Sequence, residues 1–321
     1  MSDAVRAWTV PSLGEPREVL EQTEVPASSP GPGQVLVQVE AAACNFADVL
    51  YCRGEYQERP DLPFTPGLEV AGTVVGTGER VFGAPVLPHG GFAEQAVLEQ
   101  TFPWPEGMSA AQAAGFFVAY QTGWCALHHR GTLAAGDTLL VHAAAGGVGA
   151  AAVQLGRAAG ARVIATVGSP DKVDVARRLG ADEVLLPDDT LVTAVRELTD
   201  GRGVDVVYDP VGGDVFDASR RVVAWEGRIL VIGFAGGRIA DAPTNHALVK
   251  NYAVVGVHWS AYRRRRPDLI EAWQRELEAL WARRAIDPLV GAEYAFDDLP
   301  DALDALAART TTGRVVLLPP R

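Results

Sequence analysis

Residues 138–149 read TLLVHAAAGGVG, an apolar run that breaks into glycines and then continues as a small-residue helical stretch to 160. The run 138–143 suits a strand buried on both faces, and 144–149 is a dinucleotide-binding turn with alanine at its first glycine position. Gly146 lets the backbone approach a pyrophosphate, and Gly149 allows a helix to pack closely on the strand. With Gly147 and Val148 it places unpaired N–H groups and the positive end of the helix dipole at the phosphates. Glycines in loops are often only turns; here a strand precedes them and a helix and second strand (162–167, RVIATV) follow.

The same rhythm continues outward, with a helix at 170–179 and strands at 184–186, 204–208, 228–233 and 254–257. Apolar strands alternating with helical segments give a doubly wound parallel sheet. The first third is different. Residues 34–41 (QVLVQVEA) alternate apolar and polar side chains after the turn-rich 26–33, and further strand-like segments lie at 70–75, 79–82 and 93–98. Short strands with Gly/Pro punctuation point to a barrel or sandwich. Beyond 258, an apolar stripe from Leu269 to Trp281 has helical spacing, and 288–296 and 314–318 return to strand. The expected architecture is a β-rich domain interrupted by a doubly wound one.

With 321 residues, 48% hydrophobic and 21% charged, the chain has an ordinary globular composition. Its formal net charge of −12 works against broad binding to nucleic acid or to an anionic membrane face. No run of 18 apolar residues escapes charge, the first ten residues lack a signal peptide's apolar core, and the three cysteines (Cys44, Cys52, Cys125) suit a reducing cytoplasm. A soluble, cytoplasmic protein is expected.

At the end of the second strand, an NAD-preferring fold places an acidic residue on the ribose hydroxyls. Here Gly168-Ser169-Pro170-Asp171-Lys172 stands instead. Gly168 and Ser169 remove repulsion against a 2′-phosphate, Ser169 can donate to it, and Lys172 can supply charge. Asp171 either complicates this or stabilises the following helix. Lys172 is one of only two lysines in the chain, which favours the phosphate role over that of a solvated residue in a first helical turn. NADPH is the expected cofactor.

These motifs, with AAACNFADVLYCRGEYQERPDLPFTPGLEVAGTV at 41–74, VHAAAGGVGAAAVQLGRAAG at 141–160, VVYDPVG at 206–212 and TGRVVLLP at 312–319, resemble zinc-independent NADPH:quinone oxidoreductases. That ζ-crystallin-like family belongs to the medium-chain dehydrogenase/reductase superfamily. The resemblance implies an α/β protein with a GroES-like β-barrel catalytic domain (1–117 and 259–321). It also implies an inserted Rossmann domain (118–258), with cofactor and substrate in a cleft between the two. At the superfamily's zinc-ligand positions stand Asn45, preceded by Cys44, and Leu68 within Gly67-Leu68-Glu69, so two of the expected ligands are missing and no metal is expected.

The resemblance further implies that Asn45, Phe46, Leu50 and the Thr122 region line the nicotinamide end, where Asn45 bonds a carbonyl or the ribose, or is a turn residue. Gly233, Phe234 and Ala235 would meet the cofactor at the carboxyl edge of the sheet, with Phe234 alternatively core packing. Arg309 lies near the cofactor or is a surface arginine. Leu186-Pro187 replaces an Asn-Tyr pair on the adenine side, leaving more of the task to Ser169 and Lys172.

The expected reaction is hydride transfer from NADPH to a quinone or similar electrophilic carbonyl. The alternatives are reduction of an enone or enoyl C=C bond and an idle NADPH-binding protein. Tyr51, Tyr56 and Tyr120 are packing residues or proton donors for an enoyl reduction. The run Arg263–Arg266 is a solvated loop or a docking patch for an anionic ligand or RNA. The apolar segment 252–259 reads as an edge strand available to a second copy, in a homodimer, unless the helical stripe after it covers that edge.

Overall fold

The computed structural model describes residues 4–319. The chain divides into two compact units: residues up to Val118 together with those from Pro288 onward, and Ala119–Asp287 between them.

In the first unit β1 (Ala4–Thr9) and β2 (Glu21–Pro26) form an antiparallel pair. The main sheet uses β3 (Val35–Cys44), β4 (Val70–Val74), β5 (Arg80–Pro85) and β6 (Gln95–Pro103). β3 pairs with both β4 and β6, so these four strands close on themselves as a small barrel. Its core includes Val37, Val39, Val70, Phe92 and Leu98, the inward set of the alternating pattern. Leu68 packs against this same core.

The second unit holds β7 (Thr138–Val141), β8 (Arg162–Thr166), β9 (Glu183–Leu185), β10 (Val204–Asp209), β11 (Val223–Val231) and β12 (Ala253–Gly256). They form one parallel sheet in the order β12-β11-β10-β7-β8-β9, the doubly wound order with its switch point between β7 and β10. All four residues of β7 are buried, as its unbroken apolar run requires.

The chain finally returns in β13 (Val290–Ala295) and β14 (Arg314–Leu318), which extend the first unit's sheet beside β3. The return thus lies at Pro288, later than the expected 259. The helix Pro267–Ala282 belongs with the parallel sheet's unit: it buries Ile270, Trp273, Leu277 and Leu280. Gln121 Nε2 also donates to Ile270 O (3.0 Å) and Gln274 Oε1 (3.1 Å). β12 is an edge strand, as expected, and that helix leaves it open: Ala253, Val254 and Gly256 are exposed. Among the described residues no helix is long and apolar enough to cross a membrane.

Gly149 lies tightly against the turn that follows β7: a Cβ there would stand 2.2 Å from Ala143 O. Gly149→Ala is therefore expected to cost about 1–3 kcal/mol through overpacking, read as a lower thermal midpoint of the purified protein.

Candidate active site and nucleotide loops

Chemistry-bearing residues gather at one place in each unit. In the second, the loops leave the carboxyl ends of neighbouring strands. Gly146 caps the helix Gly147–Ala158, and Gly146, Gly147 and Val148 are half-exposed at its first turn, where N–H groups lack intrahelical partners. Ala143, with φ of 50°, turns the chain sharply out of β7, and Ala144 N–H donates to Thr166 O (2.9 Å). β8 pairs with β7 (Val141 opposite Ala165), so Gly168 and Ser169 leave the sheet next to the glycine turn. A Cβ on Gly168 would meet nothing within 4 Å. Half-exposed N–H donors at a helix start, beside open space at Gly168, fit a dinucleotide's phosphates and ribose.

The expected helix 170–179 opens as a short 3₁₀ turn, Pro170–Lys172, before the helix Val173–Leu179. Asp171 bears on the phosphate reading. Its carboxyl sits below the ordinary value chiefly because the Ser169 hydroxyl donates to it, with Lys172 adding attraction. Gly233, Phe234 and Ala235 follow β11, and Ala235 N–H donates to Pro210 O (3.0 Å) after β10, placing them on the same edge. Phe234 is 44% exposed and is not core packing.

In the first unit Asn45 closes β3 and caps the helix Phe46–Arg53, on which Phe46 and Leu50, one turn apart, are half-buried. Asp48 reaches back to Asn45 N–H (2.7 Å) and also accepts from Gly67 N–H (3.1 Å). Gly67 has φ of 106°, and a Cβ there would stand 2.6 Å from Phe92 N. The Asn45 amide donates to Ala43 O (3.3 Å) and Glu69 Oε1 (3.1 Å), and its Oδ1 accepts from Arg314 (3.1 Å). Glu69 is paired with Arg314 and takes Val118 N–H on Oε2 (2.8 Å). Carboxylate on one side and guanidinium on the other fix which way the amide points. Both amide hydrogens are engaged within this cluster, where Asn45 organises the start of the helix.

Sequence reasoning passed over Asp48, Glu69 and Arg314. The signals were present: an acid three residues after a capping asparagine, and an arginine opening the apolar run VVLL. Burial pushes the Glu69 carboxyl up, against the opposing pull of Arg314. It pushes Asp48 up to about 7, against the two backbone donors.

The remaining expectations scatter. Thr122 is buried in the helix Phe117–Trp124, within which the chain passes from the first unit to the second. Arg309 is exposed with φ of 58°, just after the helix Leu299–Ala307. The Tyr120 hydroxyl is buried and bonded to Gln154 Oε1 (3.0 Å), and Tyr51 packs on Tyr56 and Phe64. Arg263–Arg265 end the helix Trp259–Arg265 and do not form a loop, and Arg266 pairs with Asp268 (2.7 Å). Among the described residues, no three His, Cys, Asp or Glu are grouped to hold a metal ion.

Two family models match: "Alcohol dehydrogenase GroES-like domain" over residues 31–106 and "Zinc-binding dehydrogenase" over 147–276. The chain is 39% identical to the Mus musculus protein "Quinone oxidoreductase-like protein 2", covering 97% of this chain and 91% of that one. It superposes on the quinone oxidoreductase of Thermus thermophilus, described also in complex with NADPH, with a TM-score of 0.88. There the identity is 34%, over 98% of this chain and 99% of that one. The CurK enoyl reductase is similar at 25% identity and a TM-score of 0.88, over 99% and 100% of the two chains.

The raised Asp48 carboxyl has a thermodynamic consequence. The folded protein keeps a proton that the unfolded chain releases above about pH 4, so unfolding releases it and becomes easier as pH rises toward 7. Denaturant midpoints measured between about pH 4 and 7 should fall with pH for the parent protein. Asp48→Asn should lose that part of the slope.

Proposed function

Because the chain belongs to the zinc-independent quinone oxidoreductase family of the medium-chain dehydrogenase/reductase superfamily, we propose that it reduces a quinone or similar electrophilic carbonyl with NADPH. The observation that carries the cofactor half of this reading is the pair of loops leaving β7 and β8. Backbone N–H groups of Gly147 and Val148 would hold the pyrophosphate beside Gly146, whose own N–H donates to Ala143 O (2.9 Å), and Gly168 leaves room for the adenine-side ribose. Ser169 and Lys172 would take the 2′-phosphate, with the Ser169 hydroxyl turning from Asp171 to do so. Gly233, Phe234 and Ala235 would line the same edge. NADPH supplies the hydride when bound.

Phe46 and Leu50, which present half-buried apolar surface, would face the nicotinamide, and Asn45 fixes the start of their helix. A quinone is reduced by hydride addition, and its oxygens take protons from water, so the residues need only orient the reactants and exclude solvent. The names of the mouse and Thermus relatives support the quinone. Similarity to the CurK enoyl reductase supports a second reading, in which an enone C=C bond is the acceptor.

We also infer that a second copy pairs along β12. Val257 N–H donates inward to Val231 O (3.0 Å), so strand alternation turns the N–H groups of Val254 and Gly256 outward and that of Val255 inward. Val254→Pro should therefore dissociate a dimer and Val255→Pro should weaken the fold itself. Light scattering with thermal melts separates the two, and a parent protein that is active as a monomer would refute the dimer.

The acceptor is decided by following NADPH oxidation with a quinone panel and an enone panel. Turnover with quinones is expected, and Lys172→Ala should weaken NADPH binding by about 1.5–3 kcal/mol while sparing NADH. Turnover only with enones would favour the second reading, and equal effects on the two cofactors would rule out the Lys172 assignment.

A further inference from the structure

The residue before Ala143 is His142, fully buried and carrying no role in the reading above. Its ring lies between two hydroxyls: Nδ1 is 2.9 Å from Thr166 Oγ1 and Nε2 is 2.8 Å from Ser219 Oγ. Ser219 spends its one hydroxyl proton on Val215 O (2.8 Å), so the imidazole must donate from Nε2. Nδ1 is then the acceptor, and Thr166 donates to it. The direction of every proton in this chain is fixed. Burial also lowers the imidazole below the ordinary histidine value, although the Asp209 carboxylate pulls the other way, which agrees with a neutral ring.

Position gives the relay its meaning. His142 immediately precedes the left-handed Ala143 that launches the glycine turn, and its own N–H donates to Tyr208 O (3.1 Å) on β10. Thr166 is the last residue of β8, two before Gly168. The Thr166 carbonyl accepts from Ala144 N–H (2.9 Å) while its hydroxyl donates to His142 Nδ1, so two bonds join the glycine turn to the ribose loop. Ser219, on the helix Gly213–Val222, supports the far side of the ring.

We propose that His142 is a positioning residue that, through Thr166, holds the pyrophosphate turn and the 168–172 loop in register so that one dinucleotide meets both. This rests on the nucleotide reading above.

The test is calorimetric titration of the full chain with NADPH, alongside thermal melts without nucleotide, for the parent protein and three variants. Thr166→Val keeps the shape and loses the hydroxyl; His142→Gln can still reach Ser219 but not Thr166; His142→Asn places an amide oxygen near Nδ1, where Thr166 can donate. Thr166→Val and His142→Gln should each weaken NADPH binding about tenfold, the scale of one hydrogen bond, with His142→Asn staying within about twofold. Their melts without nucleotide should stay together. Parent-like affinity in Thr166→Val and His142→Gln would overturn the proposal, as would losses in all three that simply track lowered melting points. A parent protein that binds neither NADPH nor NADH would instead bring down the nucleotide reading itself.

Discussion

The first unit is organised around one buried ion pair, Glu69 with Arg314. Glu69 lies just before β4, and Arg314 opens β14, 245 residues later and after the whole inserted unit. One carboxylate oxygen meets the returning arginine, and the other takes the N–H of Val118, where the chain leaves for the second unit. Departure and return are thus held by the same side chain. Removing either partner of such a pair strands a buried charge, which costs about 3–5 kcal/mol. Arg314 also fixes the Asn45 amide, and Asn45 fixes the helix that carries Phe46 and Leu50.

By the family resemblance, this network includes one of the superfamily's zinc-ligand positions, Asn45. Asn45 and Leu68 stand at two ligand positions, and Leu68 faces the barrel core. The polar groups that remain are bonded to one another: amide to carboxylate, guanidinium to amide, Asp48 to two backbone N–H groups. Arg314 Nε is buried without a hydrogen-bond partner, and the bonds that are made orient the cluster's neighbours.

The second unit solves a different problem. A parallel sheet delivers its loops to one edge, but adjacent loops must still agree on where a ligand's two ends lie. The left-handed Ala143, the close approach at Gly149 and the Ala144–Thr166 and His142–Thr166 bonds supply that agreement from the neighbouring strands β7 and β8. Asp171, bonded to Ser169, adds a competing negative charge beside the expected phosphate site.

The doubly wound unit was legible from residue order, because strand and helix periodicity and the glycine turn are local properties that 138–167 writes out in succession. An apolar run with no partner strand after it likewise marked 252–259 as an edge. The point of return at Pro288 was not legible, because the helical stripe 269–281 has an apolar face in either unit, and only its packing decides which. The partnership of Glu69, Asn45, Asp48 and Arg314 was not legible either. Those residues lie on segments far apart in the chain, and a charge inside an apolar run is recognisable as buried only when its counter-charge is found across the fold.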